Sequence, residues 1–533
     1  MKKPEFLVCL LLLVFSFPVY AQDGAKADKY WIYLTDKADV SRFAPEDILS
    51  ERALARRAKH GISLDYSDYP VRSDYLEILA GTGAELRHPS KWFNAVSAHM
   101  DEATVAEVSA LPFVKAIQPI TPAYRDMEPV QNFKVGYNAG VTQRQLEMIG
   151  VDQLHQNGYN GTGVLIAVMD NGFRGVNENP YLQHMINDDR LVATYDFVNN
   201  EEDVFDQGNH GAWVLSIIAG WQEEAVDSFN FYGSAHGASF ILCHTENDAS
   251  ETTQEEDNWV AAMEFADSIG ADIFSTSLGY RGMDEISESY FYEDMDGNTT
   301  IITNGADMAA GKGIIVVNSA GNSGANHITA PADGDSVIAV GAVQADFQIA
   351  GFSSHGPSYD GRIKPEVCAM GQNDAFVGVD GELRRGNGTS FSCPVISGMI
   401  ACLLQARPET RNMELYDALI RASDRYSNPI PSTVMECPGP AMLWSSWANL
   451  LWSVLRVKTN WPWALWYSRI QLPVASMLFM TTTKSALTEV FRYSMSPDVR
   501  CWTLRSASIP STMYSTSKMS FPDSIRVSIL CAC

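Results

Sequence analysis

The apolar positions along the chain change period several times, and each change marks a part of it. KYWIYLTD, from Lys29, alternates and is rich in aromatics, which predicts a strand. SERALARRAKHG predicts a helix that stops at Gly61. YLEILAGTGAELRHPSKWFNAVSAHM predicts a helix, a turn at Gly81 to Gly83 and a strand; TVAEVSALPFVKAIQP predicts another helix and strand. Together these make a small α+β unit. Periodicity weakens from Pro122 to Tyr137, as in an exposed linker.

From Val141 the pattern is different. Helical QLEMIGVDQLHQNG leads into GTGVLIAVMD, a nearly continuous apolar run that ends at Asp170. Runs of this kind are strands covered on both faces, as in a parallel sheet. HGAWVLSIIAG, NWVAAMEFADSIG and ITNGADMAAGKG then predict helices, and ASFILCHTEN, ADIFSTSLG, IIVVNSAGN and SVIAVGAV predict strands. This alternation predicts an α/β fold with a doubly wound, mostly parallel sheet flanked by helices. Ligands bind such sheets beyond the carboxyl ends of the strands. Asp170, Ser277-Leu278-Gly279 and Asn322 all fall there.

Composition adds a class and a boundary. The chain has 533 residues, 46% hydrophobic and 19% charged, which is an ordinary globular balance. A net charge of −26 argues against a nucleic-acid partner. From Ile430 onward there are nine Lys or Arg against four acidic residues, so the sign of the charge reverses there. Residues 1–21 read as a secretory signal peptide: Lys2 and Lys3, the apolar LVCLLLLVFSF, and a cleavage site after Val19-Tyr20-Ala21. That run is short for a membrane span, and no span is expected in the mature chain. The cysteines form no obvious disulfide framework and include no CxxC pair, so no structural zinc site is expected.

Four short stretches could carry chemistry. In GNGTSFSCPVISG a Gly-rich turn brings Thr389-Ser390 to the start of a helix, among backbone N–H groups that favour negative charge. Pro394 sits early in that helix, where a missing N–H costs little. A helix cap at Thr389 or Ser390 is the commonplace alternative to a nucleophile. Asp170 ends a buried strand, and an Asx-turn would also suit it. His210 opens a helix and reads equally as a surface or capping residue. Asn322, in SAGNSG, is either a left-handed turn residue or a side-chain amide donor. A serine hydrolase needs a base for its hydroxyl and a carboxylate to orient that base, and the order Asp, His, Asn, Ser supplies these parts.

With these residues in view, the stretch from Val141 to Asn428 resembles the catalytic domain of a subtilisin-like serine protease. VLIAVMDNG, GNHGAWVLSIIAG and GNGTSFSCPVISG resemble its aspartate, histidine and serine motifs. SLGY resembles the substrate-pairing strand, SAGNSG the oxyanion loop, and GFSSHGPSYDGRIKPEVCAMG the segment before the serine motif. The resemblance implies Asp170 as orienter, His210 as general base and Ser390 as nucleophile. Asn322 and the Ser390 N–H would bind the oxyanion; Ser277, Leu278, Gly279, Ser319, Ala320 and Gly321 would line the substrate. The unit from Lys29 resembles, through SKWFNAVSA and LPFVKAIQP, the inhibitory propeptide of the family, to be cut away between Arg125 and Tyr137. Departures are Asn171, where Ser or Thr is usual, and Ala212, where Thr is usual; both are expected to tune the site. No cofactor and no metal ligand is expected. Calcium is left open: no calcium loop is legible, and acidic EEDVFDQ and YEDMDGN read either as ion sites or, more often for such runs, as solvated surface.

The expected layout is a signal peptide at 1–21, a propeptide-like α+β domain at 22–130, a catalytic domain at 137–429 and an anomalous tail at 430–533. The tail carries seven of the 12 tryptophans and has no steady period. Its start can be written ATA CCC AGT ACG GTT ATG GAA TGC CC; one G in front turns this into Asp-Thr-Gln-Tyr-Gly-Tyr-Gly-Met-Pro, the continuation the family has. The tail therefore reads as frameshifted or disordered. The reading as a whole is a secreted or extracytoplasmic serine endopeptidase, with cell-surface retention left open. It is made as a zymogen, with protein or peptide substrates and its own propeptide as inhibitor. The competing reading is a non-catalytic protein on a protease fold, crippled by its tail.

Overall fold

The computed structural model describes residues 29–37, 39–120, 140–222, 230–246, 254–281 and 290–423, with two short strands further on. The signal peptide, the linker with its cleavage window, and the tail apart from those two strands lie outside the described residues.

The N-terminal unit runs β1 (Lys29–Leu34), α1 (Glu51–His60), α2 (Ser73–Gly81), β2 (Glu85–Ser90), β3 (Ala95–His99), α3 (Glu102–Ser109) and β4 (Val114–Pro119). Its sheet has the order β2-β3-β1-β4 and is antiparallel throughout. Alternation along β1 gives the sheet two faces. Ile32 and Leu34 join Leu79, Val96, Val108 and Phe113 in this unit's own core. Trp31, on the other face, packs with Ala95 and Ile120. The sequence predicted one strand where β2 and β3 stand. Pairing slips between Leu86 and Pro89, and Asn94 takes a left-handed turn (φ 49°), so SKWFN folds back between two strands. Helix α1 starts and stops as expected: the Ser50 hydroxyl accepts from Ala53 N, and Gly61 closes the helix at φ 69°.

The larger unit follows as α4 (Gln143–Glu147), α5 (Val151–Gln156), β5 (Leu165–Asp170), α6 (Gln183–Asn187), β6 (Leu191–Asp196), α7 (His210–Ala219), β7 (Trp221–Gln222), β8 (Phe231–Tyr232), β9 (Ser239–His244) and α8 (Gln254–Ile269). It continues with β10 (Ile273–Thr276), α9 (Ile301–Gly311), β11 (Ile315–Ser319), β12 (Val337–Val343), β13 (Val367–Met370), β14 (Gln372–Val377), β15 (Leu383–Asn387), α10 (Thr389–Ala406) and α11 (Asn412–Ala422). Seven parallel strands form one sheet in the order β13-β12-β11-β10-β5-β9-β6. Strand β5 is buried at every residue. Ile166 and Val168 face α5, α7 and α10, while Leu165, Ala167 and Met169 face α8 and α9. The order of connection reverses beside β5, so a crevice opens at its carboxyl end.

Two predicted helices differ in extent. Gly150, left-handed at φ 75°, splits the first into α4 and α5. Helix α8 begins at Gln254, four residues before its apolar run, with Glu255, Glu256 and Asp257 at its positive end. Helix α10 is the only described one long and apolar enough to cross a membrane, but 89% of it lies inside the fold, where it fills the crevice side of the core. Within 451–533, β16 (Val490–Arg492) pairs antiparallel with β17 (Arg505–Ala507).

The two folded parts up to residue 423 meet along α8. Arg56 and Arg57 of α1 both bind the Asp267 carboxylate, and Arg57 also reaches Asp68 at 3.0 Å. Lys312 binds Asp68 at 2.8 Å. Glu264 accepts from Ser90 Oγ, Lys91 N and Trp92 N at 2.5, 2.9 and 3.0 Å. Asp257 accepts from Ser97 Oγ at 2.5 Å.

Candidate active site

Three strand ends and two helix starts build the site. Asp170, the last residue of β5, is fully buried. Its Oδ1 lies 2.7 Å from His210 Nδ1 and accepts from Asn171 N at 2.8 Å. A carboxylate at that distance holds the proton on Nδ1 and leaves Nε2 as the basic nitrogen.

His210 is the first residue of α7, and its cap comes from outside the helix. Asn209, at the N-cap, makes no side-chain cap bond. Instead Asn171 Oδ1 accepts from His210 N at 3.1 Å and Gly211 N at 3.2 Å. The residue after the aspartate thus fixes the helix that carries the histidine. Gly211 is needed for this approach, since a Cβ there would stand 2.3 Å from Gly172 O and 2.9 Å from Asp170 Cβ. The His210 ring meets Phe391 edge-on at 6.2 Å, which sets it beside the start of α10.

Ser390 is the second residue of α10. The alternative reading, a helix cap at Thr389 or Ser390, does not hold: the N-cap is Gly388, with no side-chain cap bond. Thr389 works sideways instead. Its hydroxyl donates to Asn322 Oδ1 at 3.0 Å and accepts from Gly321 N at 3.2 Å, while its N–H donates to the same Oδ1 at 2.8 Å. Two donors on the oxygen fix the amide's orientation and turn its Nδ2 donor the other way. A Cβ on Gly388, whose φ is 150°, would stand 2.8 Å from Ser390 Oγ and 3.7 Å from Asn322 Nδ2. The bare glycine therefore keeps a side chain out of the space beside the hydroxyl and the amide donor.

Pro394 lies deeper than the sequence suggested, at the sixth residue of α10, where a proline costs the helix a bond. The carbonyl it leaves without an N–H is that of Ser390, and Ser277 Oγ donates to it at 3.0 Å. The start of α10 is thereby pinned to the end of β10. The remaining expected substrate residues lie here too. Leu278 O accepts from Asn318 Nδ2 at 2.9 Å and Ser319 Oγ at 3.3 Å, which ties the two segments together. Ser277, Leu278, Ser319 and Ala320 are buried, whereas Gly279 and Gly321 stay half-open.

Sequence comparison matches this architecture. Residues 161–435 match the Subtilase family, and residues 29–132 match the Peptidase S8 propeptide domain of Bacteroidota. The chain belongs to the subtilase family. It is 28% identical over 349 residues to Subtilisin E of Bacillus subtilis (strain 168), covering 64% of this chain and 79% of that one. Subtilisin-like protease SBT6.1 of Arabidopsis thaliana is 27% identical over 297 residues, covering 53% of this chain and 26% of its own length. Serine protease AprX of Bacillus subtilis (strain 168) is 27% identical over 300 residues, covering 51% and 64%.

The subtilase site has a near-duplicate on β9 and β6, the next two strands beyond β5 in the sheet. His244 Nδ1 lies 2.8 Å from Asp196 Oδ2, both buried. Its Nε2, however, is bound to Glu246 O at 2.6 Å, so both ring nitrogens are engaged inside the fold. The aspartate raises His244 above its usual pKa against the effect of burial. That couple is structural. Ala212, the second departure, is buried in the sheet-facing core. Among the described residues no group of three His, Cys, Asp or Glu is placed to hold a metal. Sequence reasoning did not give Asn171 and Thr389 their tasks as positioners. The available signal was only their adjacency to Asp170 and Ser390.

Proposed function

We propose that this subtilase is a secreted serine endopeptidase, made as a zymogen, that hydrolyses peptide bonds in proteins through an acyl-enzyme. Ser390 Oγ attacks the carbonyl and its proton passes to His210 Nε2. Asp170 holds the imidazole and stabilises the imidazolium. Asn322 Nδ2 and the Ser390 N–H take the oxyanion. His210 then protonates the leaving amine, and water repeats the cycle on the acyl group. Residues 29–120 act as the propeptide, an intramolecular partner that is released. The observation that carries the reading is the 2.7 Å contact between buried Asp170 and His210 Nδ1, on the helix capped from Asn171.

The test is labelling of the purified full chain with a fluorophosphonate, beside Ser390→Ala. These reagents modify a serine whose base and oxyanion donors are assembled. Labelling lost in the variant is expected. A wild-type chain with a cooperative thermal transition and no labelling would favour the non-catalytic reading instead.

A further inference from the structure

Beyond the crevice the two substrate segments run on side by side, and their far ends bring basic groups together with no acid bound to them. Tyr280 and Ala330 exchange two backbone bonds, of 2.9 and 3.1 Å. Leu278 and Tyr280 are buried in the core that faces α8. A Cβ on Gly279 would point the other way, 2.1 Å from Thr329 Oγ1. Alternation turns Arg281 to that same outer face. Arg281 is half-buried and makes no hydrogen bond or ion pair among the described residues. Glu293, which is exposed, acts on it only from beyond ion-pair distance.

His327 completes the corner. Its backbone stands at φ 71° and ψ 171°, a region otherwise kept for glycine. Strain of this kind persists only where the surroundings impose it. The ring lies on Tyr292 at 3.8 Å and within 17° of parallel, and the Tyr292 hydroxyl donates to Pro357 O at 3.1 Å and Ser358 O at 3.2 Å. The Nδ1 of His327 is buried with no hydrogen-bond partner. Burial lowers the pKa of this ring, and the nearby Arg281 and His355 lower it further. The acid next to Tyr292 is not free to help: Asp360 is held by Arg362 at 2.6 Å and by the Ser358 hydroxyl at 2.5 Å. The chain has 64 acidic residues against 38 Lys and Arg, so bases without a bound acid are out of character for it. Burying a cation or a ring nitrogen without a partner costs free energy. One carboxylate set between Arg281 and His327 would relieve both with charge-assisted bonds.

We propose that Arg281 and His327 form a binding corner for one carboxylate, which selects substrates with Asp or Glu among the four residues before the cleaved bond. The proposal rests on the reading of the site as a serine peptidase. The planar guanidinium of Arg281 takes the carboxylate through two parallel N–H groups. His327 adds the N–H of its Nδ1. Asp170, His210 and Ser390 would act on any peptide; the corner chooses among peptides by charge.

The experiment uses the full chain and peptide anilides in which Glu or Gln stands at each of those four positions in turn, with fluorophosphonate labelling run in parallel. The net charge of −26 disfavours the Glu peptide at every position. The corner predicts a reversal at one of them, with kcat/KM about tenfold higher for Glu than for Gln, the scale of one charge-assisted pair. Added salt should shrink this preference. Arg281→Gln should abolish it, and Arg281→Lys, which keeps the charge but not the fork, should keep part of it. Arg281→Glu should replace it by a preference for Lys at the same position, and serves if the glutamine variant does not fold. A general loss of stability would lower both rates and leave their ratio alone. A labelled wild type that prefers Glu at no position overturns the proposal, as does a preference that survives in labelled Arg281→Gln or Arg281→Glu. A folded wild type that takes no label overturns the peptidase reading, and this one with it.

Discussion

Helices α8 and α10 lie on opposite faces of one sheet and are both deeply buried, yet they are buried by different things. Helix α10 is covered by the strands and helices of its own unit, and its buried residues are small or apolar apart from hydroxyls that bond nearby backbone or the side chains of Asn322 and Ser275. Helix α8 turns Trp259, Val260 and Met263 to the sheet. Its other face carries Asp257, Glu264 and Asp267, buried because arginines, serines and backbone N–H groups of residues 50–97 lie on them. An apolar outer face would aggregate once uncovered, whereas a carboxylate face is soluble without its cover. The charge of α8 therefore suits a cover meant to leave. The apolar surface of α10 suits one that never does.

The largest expected effect breaks the α8 contact alone. In Asp267→Ala, Arg56 and Arg57 lose their shared carboxylate while staying buried. Removing one member of a buried ion pair costs about 3–5 kcal/mol. Hydrogen exchange of the α1 amides should then quicken by a hundredfold or more, on the order implied by that energy, while α10 amides hardly change. Ile400→Ala, fully buried in α10, should cost about 2–5 kcal/mol and speed exchange throughout the larger unit. Equal acceleration of α1 and α10 in Asp267→Ala would show that the two faces are not separable.

Next in size is a test inside the site that leaves both covers alone. Asn322→Ala removes the amide that Thr389 orients. Loss of one oxyanion donor costs about 100- to 1,000-fold in kcat, with KM little changed. Thr389→Val keeps Asn322 but deletes the hydroxyl contacts to Asn322 and Gly321, and a smaller loss of kcat is expected. An Asn322→Ala enzyme with unaltered kcat would remove Asn322 from the site.

The comparison also explains what the sequence could disclose. Buried central strands such as β5 and β12 are continuous apolar runs; Asp170 ends β5, Asn322 follows β11, and His210 and Ser390 open helices, so all four could be named. The edge strands β6 and β13 were missed: β6 is largely half-exposed, and β13 has only four residues. The hairpin β14–β15 hides in polar QNDAFV and LRRGN. Asn171 and Thr389 act through partners 39 and 67 residues away, counted to His210 and Asn322. Local periodicity holds no trace of such pairs. The same holds for the cover on α8: Arg56 and Arg57 read as ordinary helix surface until Asp267 is placed opposite them.

The smallest effect concerns pH at that cover. His88 is buried where β2 meets α8, with Nε2 3.1 Å from both Phe197 O and Asn258 Oδ1. Two acceptors make Nε2–H a donor. Burial lowers its pKa from the usual 6.5; Asp257 opposes this and Arg87 adds to it. The docked form therefore resists a proton that the undocked form accepts. Above about pH 6.5 neither form is charged and docking carries no penalty. As pH falls below that value the undocked form gains its proton first, and docking weakens until the lowered docked pKa is reached. Glu264 works in the opposite sense, because burial raises its carboxyl and the docked form holds a proton above the usual range. The wild-type profile alone would mix the two. The difference between wild type and His88→Gln isolates the histidine: protection of α1 amides, corrected for intrinsic exchange, should fall more steeply in the wild type as pH drops from 7 toward 5. Parallel profiles would mean that the hold on α8 is set by its ion pairs alone.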